Sequence, residues 1–232
     1  MKILLALLAF SLSVVAHAGK YESSLVVQTG QMRESDLIVR NITDLTNKKT
    51  CLTFYIRTSG TSPITHCYDA VSGFGAKLNQ VGHIKADDLV VRKLEDTKNG
   101  MFCLTAYVST PGTSPAVDCY PNKQQFKDHM IEAAHLREGD LDVRKIVDTG
   151  NGKTCLVAYV TTQGTSPSLA CYDSAAGTKG GLYQTSYLKE GDLVVRKVID
   201  VESKKGCLVT YVSTAGTSSH LYCYDEGQGT GN

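Results

Sequence analysis

Four arginines recur at a constant interval and are the first candidates for chemistry. Each one ends a motif of the form Asp-Leu-x-Val-Arg or its close equivalent, and neighbouring copies are 52 residues apart; they are Arg40, Arg92, Arg144 and Arg196. A guanidinium group forms paired hydrogen bonds with carboxylates and sugar oxygens, so four of them around a channel could bind an anionic or polyhydroxylated ligand. The alternative, which turn chemistry favours, is structural: Asp36 closes a turn, and Arg40 pairs with a carboxylate of a neighbouring unit such as Asp44.

A loop of the form Gly-Thr-Ser also occurs in four copies. Its hydroxyl residues are Thr61, Ser62, Thr113, Ser114, Thr165, Ser166, Thr217 and Ser218. Loops gathered at one end of the molecule could contact glycans at several weak sites that act together. The competing interpretation, which is again favoured, is a hairpin loop in which the glycine gives backbone freedom and the hydroxyls bond locally.

The remaining residue types give little indication of catalysis. A tyrosine follows the second cysteine of each unit; the four are Tyr68, Tyr120, Tyr172 and Tyr224. Their regular strand position predicts that they pack in the core and do not form an aromatic binding ring. No HExxH, paired CxxC, GxSxG, P-loop or dinucleotide motif occurs, so we expect no metal site and no cofactor and assign no catalytic residue. An enzyme would have to use positions that break the repeat. These are the segment from Phe126 to His135 and the position occupied in turn by His66, Asp118, Ala170 and Tyr222.

The eight cysteines follow the same period and organise the whole chain. An unbroken period of 52 residues indicates four tandem units that bury apolar surface against their neighbours. If the strands on either side of each Gly-Thr-Ser loop pair symmetrically, the two cysteines of a unit face each other at a distance that a disulfide can bridge. We therefore favour bonds within units over a bond between units such as Cys67–Cys103. The predicted bonds are Cys51–Cys67, Cys103–Cys119, Cys155–Cys171 and Cys207–Cys223.

Runs of β-branched and aromatic residues, separated by turn residues, predict up to four antiparallel strands per unit. In the last unit these are residues 182–188, 192–200, 207–213 and 219–224. Both faces of the strands are apolar, so each small sheet needs cover on both sides. We expect an all-β fold of four β-meanders closed into a four-bladed propeller, with a β-sandwich of paired repeats as the alternative. The pattern resembles that of hemopexin-like propellers, although the motifs of that family are absent.

The sequence also predicts a signal segment, the bounds of the repeat units and one short helix. Residues 1–18 are typical of a secretory signal, with Lys2, an apolar run and the small-x-small sequence at residues 16–18. We expect residues 19–232 to form a single repeat domain with a flexible tail at 226–232. The expected units are about 20–69, 70–121, 122–173 and 174–225. In the connection that opens the third unit, the helical spacing of apolar residues predicts a short helix from Asn122 to His135.

The charge balance and the predicted compartment limit the classes of partner that the protein could bind. Without Lys2 the chain has 23 basic and 23 acidic residues, a balance that argues against a nucleic-acid or anionic-membrane partner. Nothing after the signal approaches the roughly 20 apolar residues of a membrane span. The signal and the cysteines predict export to the periplasm or the medium. We expect a binding protein without enzymatic activity that recognises a cell-surface glycan or an envelope protein; the alternatives are a small extracytoplasmic hydrolase and a structural envelope component.

Overall fold

The computed structural model describes residues 26–70, 75–123, 129–174 and 180–227. The regular structure in these ranges consists of sixteen β-strands in four antiparallel sheets of four strands. Strands pair in chain order within each sheet, so each unit is a meander of three hairpins, as the sequence predicts. The predicted signal at residues 1–18 lies outside the described residues, and the predicted tail is described only at Glu226 and Gly227.

Equivalent strands of the four sheets have equal lengths. The first sheet contains β1 (Val26–Glu34), β2 (Leu37–Asp44), β3 (Lys49–Ile56) and β4 (Ile64–Asp69). The second contains β5 (Leu78–Ala86), β6 (Leu89–Asp96), β7 (Met101–Val108) and β8 (Ala116–Pro121). The third contains β9 (Met130–Glu138), β10 (Leu141–Asp148), β11 (Lys153–Val160) and β12 (Ser168–Asp173). The fourth contains β13 (Leu182–Glu190), β14 (Leu193–Asp200), β15 (Lys205–Val212) and β16 (His220–Asp225).

Each unit is closed by its own disulfide across its last hairpin. The register places Cys51 opposite Cys67, and the equivalent cysteines face each other in the other three sheets. The bonds are Cys51–Cys67, Cys103–Cys119, Cys155–Cys171 and Cys207–Cys223. All eight cysteines are therefore paired within units, because the hairpin register brings the two Cβ atoms of each pair together.

Successive sheets stack face to face. We call the face that a sheet turns towards the preceding sheet its front face and the opposite one its back face. In β6, Val90 and Leu94 on the front face join the core shared with the first sheet, whereas Leu89 and Val91 on the back face join the core shared with the third. This two-sided burial follows from the alternation of side chains along a strand and explains why both faces are apolar in the sequence.

Three cores therefore lie at three junctions. The first junction joins the first and second sheets, the second joins the second and third, and the third joins the third and fourth. Edge strands also lie against their equivalents, β4 on β8, β8 on β12 and β12 on β16. The units are thus stacked in series rather than divided into separate two-sheet sandwiches.

Closure of the stack into a propeller is not found among the described residues. The back face of the fourth sheet exposes Leu193 and Tyr222 to solvent at 47% and 63% of their surface, so the first sheet does not cover it. The loop at Gly216 likewise has open space where a neighbouring loop would approach. The all-β repeat architecture is confirmed, whereas the propeller is not.

The predicted helix at residues 122–135 is wrong over its described C-terminal part. Residues 130–138 form β9, which pairs along its length with β10, and residues 124–128 lie outside the described residues. Ala134 and Leu136 pack against the core of the third junction. Ladder hydrogen bonds and this burial outweigh the local helical spacing, because tertiary packing commonly overrides weak propensity.

Candidate functional site

Three of the recurring arginines are buried in ion pairs between sheets, and two of these, Arg92 and Arg196, make equivalent contacts. Arg92 donates to the hydroxyl of Tyr107 (3.0 Å), and that hydroxyl donates to Asp36 of the preceding sheet (2.7 Å). Arg196 and Tyr211 make the same contacts with Asp140. Burial raises the pKa of Tyr107 and that of Tyr211 to about 12, so both hydroxyls remain protonated and able to donate. These arginines stabilise junctions and do not line a shared channel.

The first arginine lies at the end of the stack. Arg40 donates to Tyr55 (3.0 Å) and to Gln28 (3.2 Å) but is exposed on the front face of the first sheet. It does not meet Asp44, which instead binds the backbone of its own turn at Thr46 and Asn47. The structural interpretation thus describes Arg92 and Arg196, although their carboxylate partners are Asp36 and Asp140 and not aspartates equivalent to Asp44.

Buried lysine–aspartate pairs complete the second and third junctions. Lys93 Nζ lies 2.7 Å from Asp148, and Lys145 Nζ lies 2.9 Å from Asp200; all four side chains are almost fully buried. The tyrosines after the second cysteine supply a further hydrogen bond across each junction. They are Tyr68 to Asp96, Tyr120 to Asp148 and Tyr172 to Asp200, at 2.7 to 2.8 Å. Tyr68, Tyr120 and Tyr172 therefore serve the core, whereas the fourth of these tyrosines, Tyr224, is half-buried at the end of the stack.

The Gly-Thr-Ser loops also bond locally. In every copy the threonine hydroxyl donates to two carbonyls of its own loop; the four are Thr61, Thr113, Thr165 and Thr217. Ser114 and Ser166 accept the backbone N–H of the serine in the preceding unit, Ser62 and Ser114 respectively. Ser62 and Ser218 lie exposed at the two ends of this series. Most of the hydroxyls that the sequence predicted for glycan contact thus form hydrogen bonds within the protein.

The second junction departs from this symmetry. Asp142 lies on the front face of β10 and is 1% exposed, at a position where the other sheets have Ile38, Val90 and Val194. Its Oδ2 lies 2.9 Å from Nε2 of His135. Its Oδ1 lies 3.2 Å from Nε of Arg144 without hydrogen-bond geometry, and it has no hydrogen-bond partner among the described residues. A buried carboxylate oxygen without a partner is rare in native proteins and needs an explanation.

Arg144 adapts to this extra carboxylate. Instead of Asp88, it contacts Asp87 (2.6 Å) of the second sheet. Its contact with Glu132 (2.8 Å) is equivalent to the contacts of the other three arginines with Gln28, Gln80 and Gln184. Burial alone would lower the pKa of Arg144, but Tyr159, Asp142 and Glu132 outweigh burial and raise it, so the guanidinium stays charged. Burial also raises the pKa of Tyr159. The displaced arginine leaves Asp88 free to face an opening at the junction.

That opening is a cavity of about 250 Å³ between the second and third sheets. Its charged lining consists of Asp87, Asp88, Arg137 and Asp142. Its other residues are Thr110, Tyr159, Thr161, Thr162 and Gln163, which supply hydroxyl and amide groups, and the apolar Val108 and Val160. Three carboxylates against one guanidinium make the lining acidic, which disfavours an anionic ligand and provides acceptors for hydroxyl groups.

The position that differs in every unit is occupied by residues in different surroundings, although His66 is close enough to Asp118 to act on its charge. Asp118 accepts the backbone N–H of Cys171 in the next sheet (3.0 Å), and burial raises its pKa. His66 is half-buried, Ala170 packs beside the core of the third junction, and Tyr222 is exposed on the fourth sheet. By contrast, His135, at the end of the other asymmetric segment, does reach the cavity's buried carboxylate. Asp142 itself was missed, although an acidic residue at an otherwise apolar repeat position was a signal in the sequence.

Clustered metal ligands and membrane-spanning helices are both absent from the part of the chain that the structure describes. No group of three or more His, Cys, Asp or Glu residues is placed to hold a metal ion within residues 26–70, 75–123, 129–174 and 180–227. In the same part of the chain, no helix has the length and apolar character that a membrane crossing requires.

The fold and the site together define a class: an all-β repeat protein with four disulfides within its units, as is typical of proteins in oxidising, extracellular surroundings. Comparison with known proteins adds no family, because no family model and no curated protein matches the chain.

Proposed function

We propose that this protein is exported and acts by binding, and that it holds a polyhydroxylated ligand, such as the end of a cell-surface glycan, in the cavity at the second junction. The observation that carries the proposal is that Asp142 lines this cavity while its Oδ1, 3.2 Å from Nε of Arg144, has no hydrogen-bond partner among the described residues. A ligand hydroxyl that donates to this oxygen would offset the free-energy cost of its burial.

The rest of the lining suits the same ligand chemistry. Asp87 and Asp88 accept hydrogen bonds from hydroxyl groups, and Arg137 and Gln163 donate to ring and hydroxyl oxygens. The walls are strands tied by a disulfide and by junction ion pairs, so little ordering is needed when the ligand binds. A neutral or amino-substituted sugar fits this acidic cavity better than an acidic one.

The proposal is tested with a glycan array and a variant that restores the repeat. Asp142→Val introduces the residue that occupies this position in the second and fourth sheets. It removes the buried carboxylate, so we expect unchanged or higher thermal stability together with at least a tenfold loss of affinity for the glycans that the natural protein binds. Asp225→Val, at a carboxylate that is 87% exposed on the fourth sheet, is the matched control and should bind normally.

Two results would contradict the proposal. If the natural protein bound no glycan on the array, a glycan ligand would be excluded and an envelope protein would be the remaining partner. Equal affinity of the natural protein and the Asp142→Val variant would show that glycans bind elsewhere.

A hydrolase is the second candidate, because His135 forms a hydrogen-bonded pair with Asp142, which lines the cavity. A buried carboxylate that orients an exposed imidazole is an arrangement found in general bases. If this pair activates water, glycans recognised on the array should be cleaved during incubation, and His135→Gln should abolish the release of reducing ends while the glycan still binds. A ligand recovered intact after prolonged incubation would eliminate this candidate.

A further inference from the structure

The back face of the fourth sheet is built like an internal face but is uncovered. Leu193 and Val212 are 47% and 39% exposed, whereas the equivalent Leu141 and Val160 of the third sheet are buried at the third junction. Tyr222, opposite Leu208 on the same face, is the most exposed large apolar residue described. A contiguous apolar surface of this kind marks a site of protein association.

The same face also carries the polar groups that a back face contributes to a junction inside the stack. Inside the stack, a back face supplies a turn aspartate, a lysine and a tyrosine to the next sheet. On the fourth sheet these groups are Asp192, Lys197 and Tyr224, and Lys197 contacts Glu226 of its own tail (2.6 Å) in place of a following sheet. The turn aspartate Asp192 is exposed.

The front face of the first sheet supplies the other half. It contains Arg40 and Tyr55, the equivalents of the arginine and tyrosine that bind a turn aspartate at the first and third junctions. It also contains Asp44, the equivalent of the aspartates that receive a lysine and a tyrosine. A depression of about 340 Å³ lies on this face beside Arg40 and Tyr55. The two ends of the stack are therefore complementary in charge.

The Gly-Thr-Ser loops also indicate that a further sheet could stack on the fourth. A Cβ atom added at Gly60, Gly112 or Gly164 would lie 3.3 to 3.7 Å from the Cα of the glycine in the next unit. At Gly216 there is nothing within 4 Å, although its φ of +80° matches that of the other three loops. The space that a fifth loop would occupy is open.

We propose that the back face of the fourth sheet binds the front face of the first sheet of a second copy, so that molecules associate head to tail and repeat the internal junction. Asp192 then meets Arg40 and Tyr55 of the second copy, and Lys197 and Tyr224 meet its Asp44. The contact is heterologous, so it adds copies in one direction until a filament or a ring of molecules forms.

A second copy is a better occupant than the first sheet of the same chain. The three junctions, with buried pairs such as Lys93–Asp148 and Lys145–Asp200, fix the fourth sheet relative to the first. They leave exposed residues on both end faces, namely Leu193 and Tyr222 at one end and Arg40 and Thr65 at the other. Closure within one chain would require these junctions to change. Docking of a second copy leaves them as they are, because the side chains that take part lie on the two end faces and none belongs to a junction core.

The test uses two face variants of the full chain. The fourth-face variant combines Leu193→Glu with Tyr222→Glu, and the first-face variant combines Arg40→Glu with Thr65→Glu; all four residues are exposed. Val81→Glu, at an exposed apolar residue of the second sheet, is the matched control. Sedimentation equilibrium gives the weight-average mass over a range of concentrations, and far-UV circular dichroism verifies that each variant is folded.

Head-to-tail association makes a specific set of predictions. The average mass of the natural protein and of the Val81→Glu control should rise at least twofold with concentration, whereas each face variant should remain a monomer. An equimolar mixture of the two face variants should reach the mass of two chains and stop there, since each supplies the intact face that the other lacks. The reversed pair Asp192→Arg and Arg40→Asp, combined in one chain, should associate again, whereas each single change should not.

Three outcomes would overturn the proposal. A natural protein that stays monomeric at every concentration would favour closure within the chain or an uncovered end. A first-face variant that still dimerises, while the fourth-face variant does not, would indicate two fourth sheets packed against each other. Face variants that remain monomers when they are mixed would show that the two faces do not bind each other.

Discussion

Lys145→Met is expected to destabilise the protein strongly, because it removes one partner of a fully buried ion pair. Lys145 Nζ lies 2.9 Å from Asp200 Oδ1, and neither side chain is exposed to solvent. Breaking such a pair leaves an uncompensated charge in the interior and typically costs about 3 to 5 kcal/mol of unfolding free energy. Tyr172 still donates to Asp200 at 2.8 Å, so we expect a loss near the lower end, about 3 kcal/mol.

The same change should reverse the effect of pH on Asp200. Burial alone would raise the pKa of Asp200, but the hydrogen bonds from Lys145 and Tyr172 outweigh burial and hold the pKa below its usual value. Without Lys145, burial should prevail and raise the pKa above that of the unfolded chain. The contribution of Asp200 would then be present at low pH and lost as the pH rises through the raised value.

The assay is urea denaturation followed by far-UV circular dichroism with the disulfides intact. Lys197→Met is the matched control, because this equivalent lysine is partly exposed at the end of the stack and pairs with the partly exposed Glu226; we expect a much smaller effect. In Lys145→Met combined with Asp200→Asn, the amide still accepts from Tyr172 and most of the loss should be recovered. Equal losses for Lys145→Met and Lys197→Met would refute a buried third junction.

Three further predictions test other parts of the stack. Replacing both Cys155 and Cys171 with serine should lower the unfolding free energy by about 3 kcal/mol in the chain-entropy account of a 16-residue loop, and a denaturation midpoint equal to that of the natural protein would contradict this. Gly60→Ala should be more destabilising than Gly216→Ala in thermal melts, because both glycines have positive φ but only Gly60 has a neighbour, 3.3 Å from the added Cβ; equal shifts would mean that the loops do not touch. The free energy of unfolding should fall as the pH drops below about 3.8, because hydrogen bonds and the paired lysines hold the pKa values of Asp148 and Asp200 below their values in the unfolded chain; a stability that rises in this range would contradict the junction geometry.

The unit itself was predictable from the sequence because its structure is local. The 52-residue period, the strand runs of the last unit and the facing cysteines all depend on alternation and register within one meander. The helix predicted at residues 122–135 was wrong because helical spacing in a short segment does not include the pairing of β9 with β10. Local patterns therefore predicted the strands and disulfides of the unit but not the segment whose conformation depends on its partner strand.

The sequence by itself determined four disulfide-closed β-meanders whose faces both need cover. Only the tertiary structure decided which faces receive it: the inner faces meet at three junctions, and the ends remain exposed at Arg40 and at Tyr222. It also decided that Asp142 is buried beside a cavity, whereas Asp88, one sheet away, opens onto it. The physical reason is that burial and charge pairing depend on neighbours some fifty residues distant, and a repeat gives every unit the same local pattern whatever stands beside it.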